Sequence, residues 1–174
     1  MQHNYETQRL VLSEIKPIDA EFILELVNTP EWIKFIGKRN IGNTAEANDY
    51  IDKIISNPKS NIWVVRTKNH QLAIGIITFI KKDYLDYYNI GFAFLSEHTN
   101  KGYAYEASYT VLQDAIKHFN YNNILATTVA SNNRSTKLLK KLGLQFDKEI
   151  ENEKEHKNAW VKYSTTLNPT TEFR

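Results

Sequence analysis

One short stretch, Thr99-Asn100-Lys101-Gly102-Tyr103-Ala104-Tyr105-Glu106-Ala107, constrains the fold more than any other part of the chain. A strand-like run, Tyr88 to Leu95, precedes it, and a long amphipathic helix begins inside it. Gly102 and Ala104 keep side-chain bulk away from the backbone, and Gly also reaches angles closed to other residues. The first N–H groups of a helix have no partner within the helix, and the positive end of the helix dipole lies behind them. A strand that feeds such a turn is a natural anion site, and Lys101 adds a formal positive charge. The ligand implied is a phosphate or pyrophosphate. Neither Gly-x-x-x-x-Gly-Lys-Ser/Thr nor Gly-x-Gly-x-x-Gly occurs.

The flanking sequence supplies alternating strands and helices. Arg9 to Ile15 reads as a first strand. Ile18, Phe22, Leu26 and Val27 share a helical face, with Asp19 near its start. Pro30 opens a segment with Trp32, Phe35 and Ile36, and Gly37 to Gly42 is a polar loop. Thr44 is the expected N-cap of a helix with Ala47, Tyr50, Ile51, Ile54 and Ile55 inward, stopped at Asn57-Pro58. The period then changes to strands: Ile62 to Thr67, Leu72 to Ile80 and Tyr87 to Leu95, joined by turns at Lys68-Asn69-His70 and Asp83 to Asp86. Gly75, inside a strand, marks a bulge or a close approach. After the anion loop, Ala104, Ala107, Val111, Ala115 and Phe119 step along one helix face, widened by Leu112 and Ile116 and ended at Asn120 to Asn123. Ile124 to Val129 is a strand. Ser131-Asn132-Asn133 offers N-caps for a helix with Leu138, Leu139 and Leu142 inward, and Gly143 is its C-cap residue. Leu144 to Ile150 and Ala159 to Leu167 pair across a charged tip, Glu151 to Lys157, and the tail after Pro169 is expected to fray.

The chain has 174 residues and a net charge of only +2, which gives no push toward nucleic acid. Without cysteine there is no disulfide, thiolate metal site or Cys nucleophile. The five histidines are scattered, so no metal site is expected. The polar start, Met1 to Glu6, lacks a signal-peptide pattern, and no apolar run reaches the ~20 residues needed to span a bilayer. The expectation is a single α/β (α+β) domain over 1–174, cytoplasmic, with no nucleic-acid or membrane partner; a homodimer stays open.

Thr99 to Ala104 resembles the acetyl-CoA pyrophosphate loop of the GNAT N-acetyltransferase superfamily, with Gly102 and Ala104 in the small positions and Thr99 in place of the usual Gln or Arg. Asn100 replaces a second glycine, and Asn is the residue after Gly most tolerant of positive φ. Asn132-Asn133-Arg134-Ser135, followed by Lys140-Lys141-Leu142-Gly143-Leu144, resembles the superfamily's Asn-x-x-Ser…Lys-Leu-Gly-Phe signature. Thr7 to Leu12 resembles the opening of the branch that holds the ribosomal-protein N-terminal acetyltransferases.

The resemblance implies a mixed, mostly antiparallel sheet of six to seven strands, flanked by helices and splayed at the cofactor site. It implies acetyl-CoA as co-substrate, an amine acceptor (a protein N-terminus or a small molecule) and direct transfer without a metal. CoA would be held by Thr99, Asn100, Lys101, Gly102, Tyr103 and Ala104. A backbone amide among Phe92, Ala93 and Phe94 would polarise the thioester carbonyl. Asn132 would bond the pantetheine arm, cap its helix, or both. The position of the superfamily's usual catalytic Tyr holds Leu139, so Ser135 is the implied acid, with a backbone-bonding first-turn hydroxyl as its other reading. Asn89 stands where some relatives carry a Glu. Glu97 is then the best remaining carboxylate for a base, with a solvated loop role and the neighbouring His98 as alternatives. Lys137 and Lys140 could meet the CoA 3′-phosphate or simply face solvent. Empty catalytic positions at Asn89 and Leu139 also admit a catalytically silent CoA-binding sensor.

Overall fold

The computed structural model describes residues 1, 3–119, 121, 123–150 and 160–166. Strands β1 (Asn4–Glu6), β2 (Leu10–Glu14), β3 (Ser60–Thr67), β4 (Ala73–Ile80), β5 (Asn89–Phe94), β6 (Asn123–Val129), β7 (Gln145–Ile150) and β8 (Trp160–Thr166) form one sheet. Its order is β1-β2-β3-β4-β5-β6-β8-β7. Five helices accompany it: α1 (Ala20–Val27), α2 (Pro30–Phe35), α3 (Thr44–Ile55), α4 (Tyr103–Phe119) and α5 (Asn133–Lys141). Every neighbouring pair is antiparallel except β5 and β6, which run parallel and share one register pair, Asn89 with Leu125. Beyond that pair the two strands part.

Each face of the sheet is covered by apolar side chains. Ile62, Val64 and Ile76 pack with Ile23 and Leu26 of α1 and Ile51 of α3. On the opposite face, Trp63, Val65, Ile77 and Ile90 meet Val111 and Leu112 of α4 and Leu139 of α5. The alternation along each strand fixes this two-sided burial, because a slip of one residue would exchange the faces.

Several local expectations are corrected. Thr44 does not cap α3; Asn43 does, its side chain accepting from the Glu46 amide at 3.0 Å. Ile18 and Ile55 are exposed, so the buried stripe of α1 is Ala20, Ile23, Leu26 and Val27, and that of α3 is Ala47 and Ile51. Both exposed residues flank a helix end, where the apolar period runs out before the sheet is reached. The sheet has an eighth strand, β1, from a segment read as a polar terminus. Tyr5 anchors it, donating its hydroxyl to buried Asp114 of α4 at 2.6 Å. Gly75 sits beside a bulge and at a close approach: Val65 pairs with Gly75 and Arg66 with Ala73, which leaves Ile74 as the extra residue, and a Cβ on Gly75 would lie 2.4 Å from the Phe94 ring. The charged tip 151–157, Ala159, Leu167, Asn120, Asn122, the segment after Pro169 and the side chain of Phe119 lie outside the described residues.

Candidate active site

β5 leads through one turn of 3-10 helix, Ser96–His98, into the anion loop. Thr99 closes that turn, its hydroxyl donating to the Ser96 carbonyl at 2.8 Å. The backbone then turns through positive φ at Asn100 (59°) and Gly102 (80°). The first bond of α4 runs from the Glu106 amide to the Gly102 carbonyl at 3.0 Å. The amides from Asn100 through Tyr105 have no hydrogen-bond acceptor among the described residues. Left-handed turns with successive free amides at a helix start make an anion-binding concavity. The backbone present therefore fits the pyrophosphate of CoA.

A brace that the sequence did not reveal holds this loop. The Glu106 carboxylate accepts from the Thr7 hydroxyl at 2.6 Å, the Arg9 amide at 2.9 Å and Arg9 Nε at 2.7 Å. Arg9 Nη1 in turn donates to the Lys101 carbonyl at 3.0 Å, and its guanidinium lies 4.6 Å from the centre of the Tyr103 ring. Burial pushes the Glu106 carboxyl up; the bonds from Thr7 and Arg9 outweigh it and hold the group below the ordinary glutamate value. The loop is thus tied to the turn between β1 and β2, and the guanidinium stands beside Gly102. In the sequence Glu106 is one residue of the helix start and Arg9 the first residue of a predicted strand, and no local pattern links the two.

Where β5 and β6 part, a cavity of about 290 Å³ runs from α2 through the opening to the start of α5. Phe92, Ala93 and Phe94 line it from β5, and Asn132, Ser135 and Leu139 from α5. Past Asn89 the β6 side of β5 has no ladder partner among the described residues, so backbone hydrogen-bonding groups are left available at the opening. Asn132 caps α5, its Oδ1 accepting from the Ser135 amide at 3.1 Å. The Ser135 hydroxyl is half-buried and makes no hydrogen bond among the described residues, unlike those of Thr99 and Thr110, which bond backbone carbonyls. At the other end of α5, Gly143 (φ 86°) donates to the Lys140 carbonyl and Leu144 to that of Leu139, both at 3.0 Å. This Schellman pairing fixes where the helix stops.

The remaining residues singled out in the sequence scatter. Glu97 does not line the cavity; its side chain is 64% exposed and 3.8 Å from His98. His98 is likewise outside the lining. Lys101, Lys137 and Lys140 are exposed. Among the aromatic residues, Trp32, Phe35 and Tyr50 line the cavity, whereas Trp63 is core and Tyr84 and Tyr87 are exposed. Tyr88 stacks on Phe79 at 4.8 Å. Arg39 lines the cavity too; it sits in the polar loop Gly37 to Gly42, between α2 and α3.

A family model described as an acetyltransferase (GNAT) domain matches residues 9–145. The chain belongs to the GNAT acetyltransferase family. It is an acetyltransferase, and the activity of that family is acetyl transfer from acetyl-CoA. The Bacillus subtilis protein YnaD, named as an uncharacterized N-acetyltransferase, is 27% identical over 139 residues, covering 80% of this chain and 81% of its own. Among solved GNAT structures, the ribosomal-protein-S5-alanine acetyltransferase from Vibrio fischeri superposes with a TM-score of 0.78 at 18% identity, over 97% of this chain and 98% of its own. The spermidine N-acetyltransferase from Vibrio cholerae, solved with CoA and spermine, gives 0.77 at 17%, over 91% and 95%. At these identities the structural likeness concerns the fold. No group of three or more His, Cys, Asp or Glu side chains suited to a metal occurs among the described residues. None of their helices is long and apolar enough to cross a membrane.

Proposed function

We propose that this GNAT protein acetylates a primary amine by direct transfer, with the thioester entering between β5 and β6 and the amine approaching from the α2 side. The observation that carries this reading is the continuous cavity between those two ends. The amine nitrogen forms a bond to the acetyl carbon as the carbon–sulfur bond breaks, and the sulfur leaves as a thiolate that takes up a proton. The loop amides of residues 99–104 bind the pyrophosphate. A free N–H on β5, among Phe92, Ala93 and Phe94, stabilises the oxygen as it gains charge. Asn132 holds the helix start beside the pantetheine arm.

Ser135 returns the proton to sulfur. Its unbonded hydroxyl in the cavity lining supports this role over a backbone-bonding one, since Asn132 already caps the helix. Glu97 is exposed, so it receives the amine's proton only through water. Thr7 to Leu12 and Asn132 to Ser135 ally the chain with the ribosomal-protein N-terminal branch, and the acceptor pocket is a separate question from that kinship.

Thiol release from acetyl-CoA across a panel of amines and N-terminal peptides tests the reading, alongside calorimetry with CoA in the presence of a chelator. CoA binding with amine-dependent thiol release is expected. No heat and no thermal shift at millimolar CoA would overturn it.

A further inference from the structure

The acceptor half of the cavity carries charge and hydrogen-bonding groups that its own fold does not use. Arg39 is half-buried in the lining, and its guanidinium lies 5.6 Å from the centre of the Trp32 ring. Its one hydrogen bond among the described residues runs from Nη1 to the Gly37 carbonyl at 3.2 Å, and no carboxylate pairs with it. Arg9 and Arg66, by contrast, each hold one, Glu106 and Asp19. A guanidinium has five N–H donors in a planar fork matched to a carboxylate, so a half-buried one without an acid is short of a partner.

Two further polar atoms in lining residues are unpaired. Trp32 is 5% exposed and Asn89 7% exposed; Trp32 Nε1 and Asn89 Oδ1 are buried without a hydrogen-bond partner among the described residues. Orphaned buried groups are costly, and a ligand that supplies their partners recovers that cost. The set has a polarity. A donor, Trp32 Nε1, lies with Arg39 on the α2 side. An acceptor, Asn89 Oδ1, lies at the last residue before β5 and β6 part. The lining also includes apolar Leu26, Phe35 and Ile76. The charge balance of the described lining is Arg39 and Lys82 against Glu31 alone. That balance opposes a polycation.

We infer that the acceptor is a small primary amine that also bears a carboxylate on an apolar body, a free amino acid in its simplest form. The inference rests on the acetyl-transfer reading. Arg39 and Trp32 Nε1 take the carboxylate, Asn89 Oδ1 takes an N–H of the amine, and the apolar wall takes the side chain. The amine nitrogen is thereby held at the opening between the strands. The product keeps its carboxylate and loses the basic nitrogen.

Matched pairs test this: L-leucine against isoamylamine, and L-phenylalanine against phenethylamine, in each of which the members differ by the carboxylate. Wild-type kcat/KM for thiol release is expected to favour the amino acid by about 10- to 100-fold, the scale of a charge-assisted bidentate contact. With CoA bound, only the amino acid of each pair should raise Tm. In Arg39→Met the preference within each pair should collapse while the affinity for CoA stays at the wild-type value. Preference for the decarboxylated member, for spermidine or for an N-terminal peptide overturns the inference, as does an Arg39→Met variant with the preference intact. Each of these outcomes, with CoA still bound, removes the acceptor class alone; loss of CoA binding in the wild type removes acetyl transfer itself.

Discussion

Glu106→Gln is expected to weaken both the fold and the grip on CoA, because one carboxylate ties the anion loop to the turn between β1 and β2. The carboxylate accepts from Thr7, from the Arg9 amide and from the Arg9 side chain, the last at 2.7 Å. Glutamine keeps the shape but has one acceptor oxygen and two donor hydrogens. It must present an N–H to at least one group that is itself a donor. Charge-assisted hydrogen bonds contribute about 1.5–3 kcal/mol each. The Arg9 side chain is 45% exposed, so solvent screens part of that, and a loss of roughly 1–2 kcal/mol is the working value. In a chain of this size 1 kcal/mol moves Tm by about 2–4 °C, so a drop of roughly 2–8 °C follows. Arg9→Met and the double variant close a thermodynamic cycle, and a coupling of about 0.5–3 kcal/mol is expected between contacting residues.

The pH dependence carries a sign. Burial raises the Glu106 carboxyl, but the bonds from Thr7 and Arg9 leave it depressed in the folded chain. A depressed carboxylate adds stability that is present above the unfolded value, about 4.3, and lost as pH falls through the folded one. The Tm gap between wild type and Glu106→Gln should be full at neutral pH and should close in acid below about pH 4. Scanning calorimetry across pH, with CoA titrations at neutral pH, measures both effects. A gap that widens toward acid, or a variant with wild-type Tm and wild-type CoA affinity, would refute the brace.

Gly102→Val should lower CoA affinity by at least about tenfold with a native far-UV spectrum, since positive φ strains any residue with a Cβ by roughly 1–2 kcal/mol and the nearest atom, Arg9 Nη2 at 3.3 Å, ends a flexible side chain. Wild-type CoA affinity in a folded variant would misplace the loop. Ser135→Ala should lower kcat by ~10²–10⁴-fold, the usual contribution of a positioned acid, with little change in Tm because Asn132 rather than Ser135 makes the cap; unchanged kcat would remove the hydroxyl from the reaction. Gly75→Ala should destabilise by about 1–3 kcal/mol, because the new Cβ would lie 2.6 Å from the Ala93 carbonyl oxygen, a backbone atom that cannot turn aside. A denaturant midpoint equal to wild type would mean that the bulge relaxes freely.

What the sequence displayed was local. Asn132 and Gly143 bracket α5 because capping needs those residue types within a turn of the helix, and both function as expected. Gly75 advertised a close approach because no other residue fits there. Asn43 and Thr44 are adjacent residues of equal capping chemistry, so periodicity alone could not choose between them. The polar segment before β2 showed only Met1 and Tyr5 as apolar residues, and the Asp114 that fixes Tyr5 lies 109 positions away. Arg9 and Glu106 are 97 positions apart, and nothing local in either one announces the other. Arg39 was hidden for a different reason: an arginine in a polar loop looks solvated until the fold brings Trp32 beneath it.

The two halves of the cavity differ in what they are made of, and that difference decides what a variant can change. In the proposed assignment the CoA half relies on backbone: amides of the loop before α4, the free edge of β5 and the capped start of α5. Backbone geometry demands particular residues, glycine at positive φ and asparagine at a cap, and these leave motifs in a sequence. The acceptor half relies on side chains from α2 and the loop after it, set on a frame that requires none of them in particular. If the proposed assignment holds, a substitution at Trp32 or Arg39 is expected to alter which amine enters while CoA affinity stays unchanged, and the converse is expected for Asn100 or Gly102. One frame can then serve acceptors of different charge in different relatives. The identity of the acceptor has to be read from the charges and unpaired atoms of this particular cavity, where Arg39 stands without an acid among the described residues.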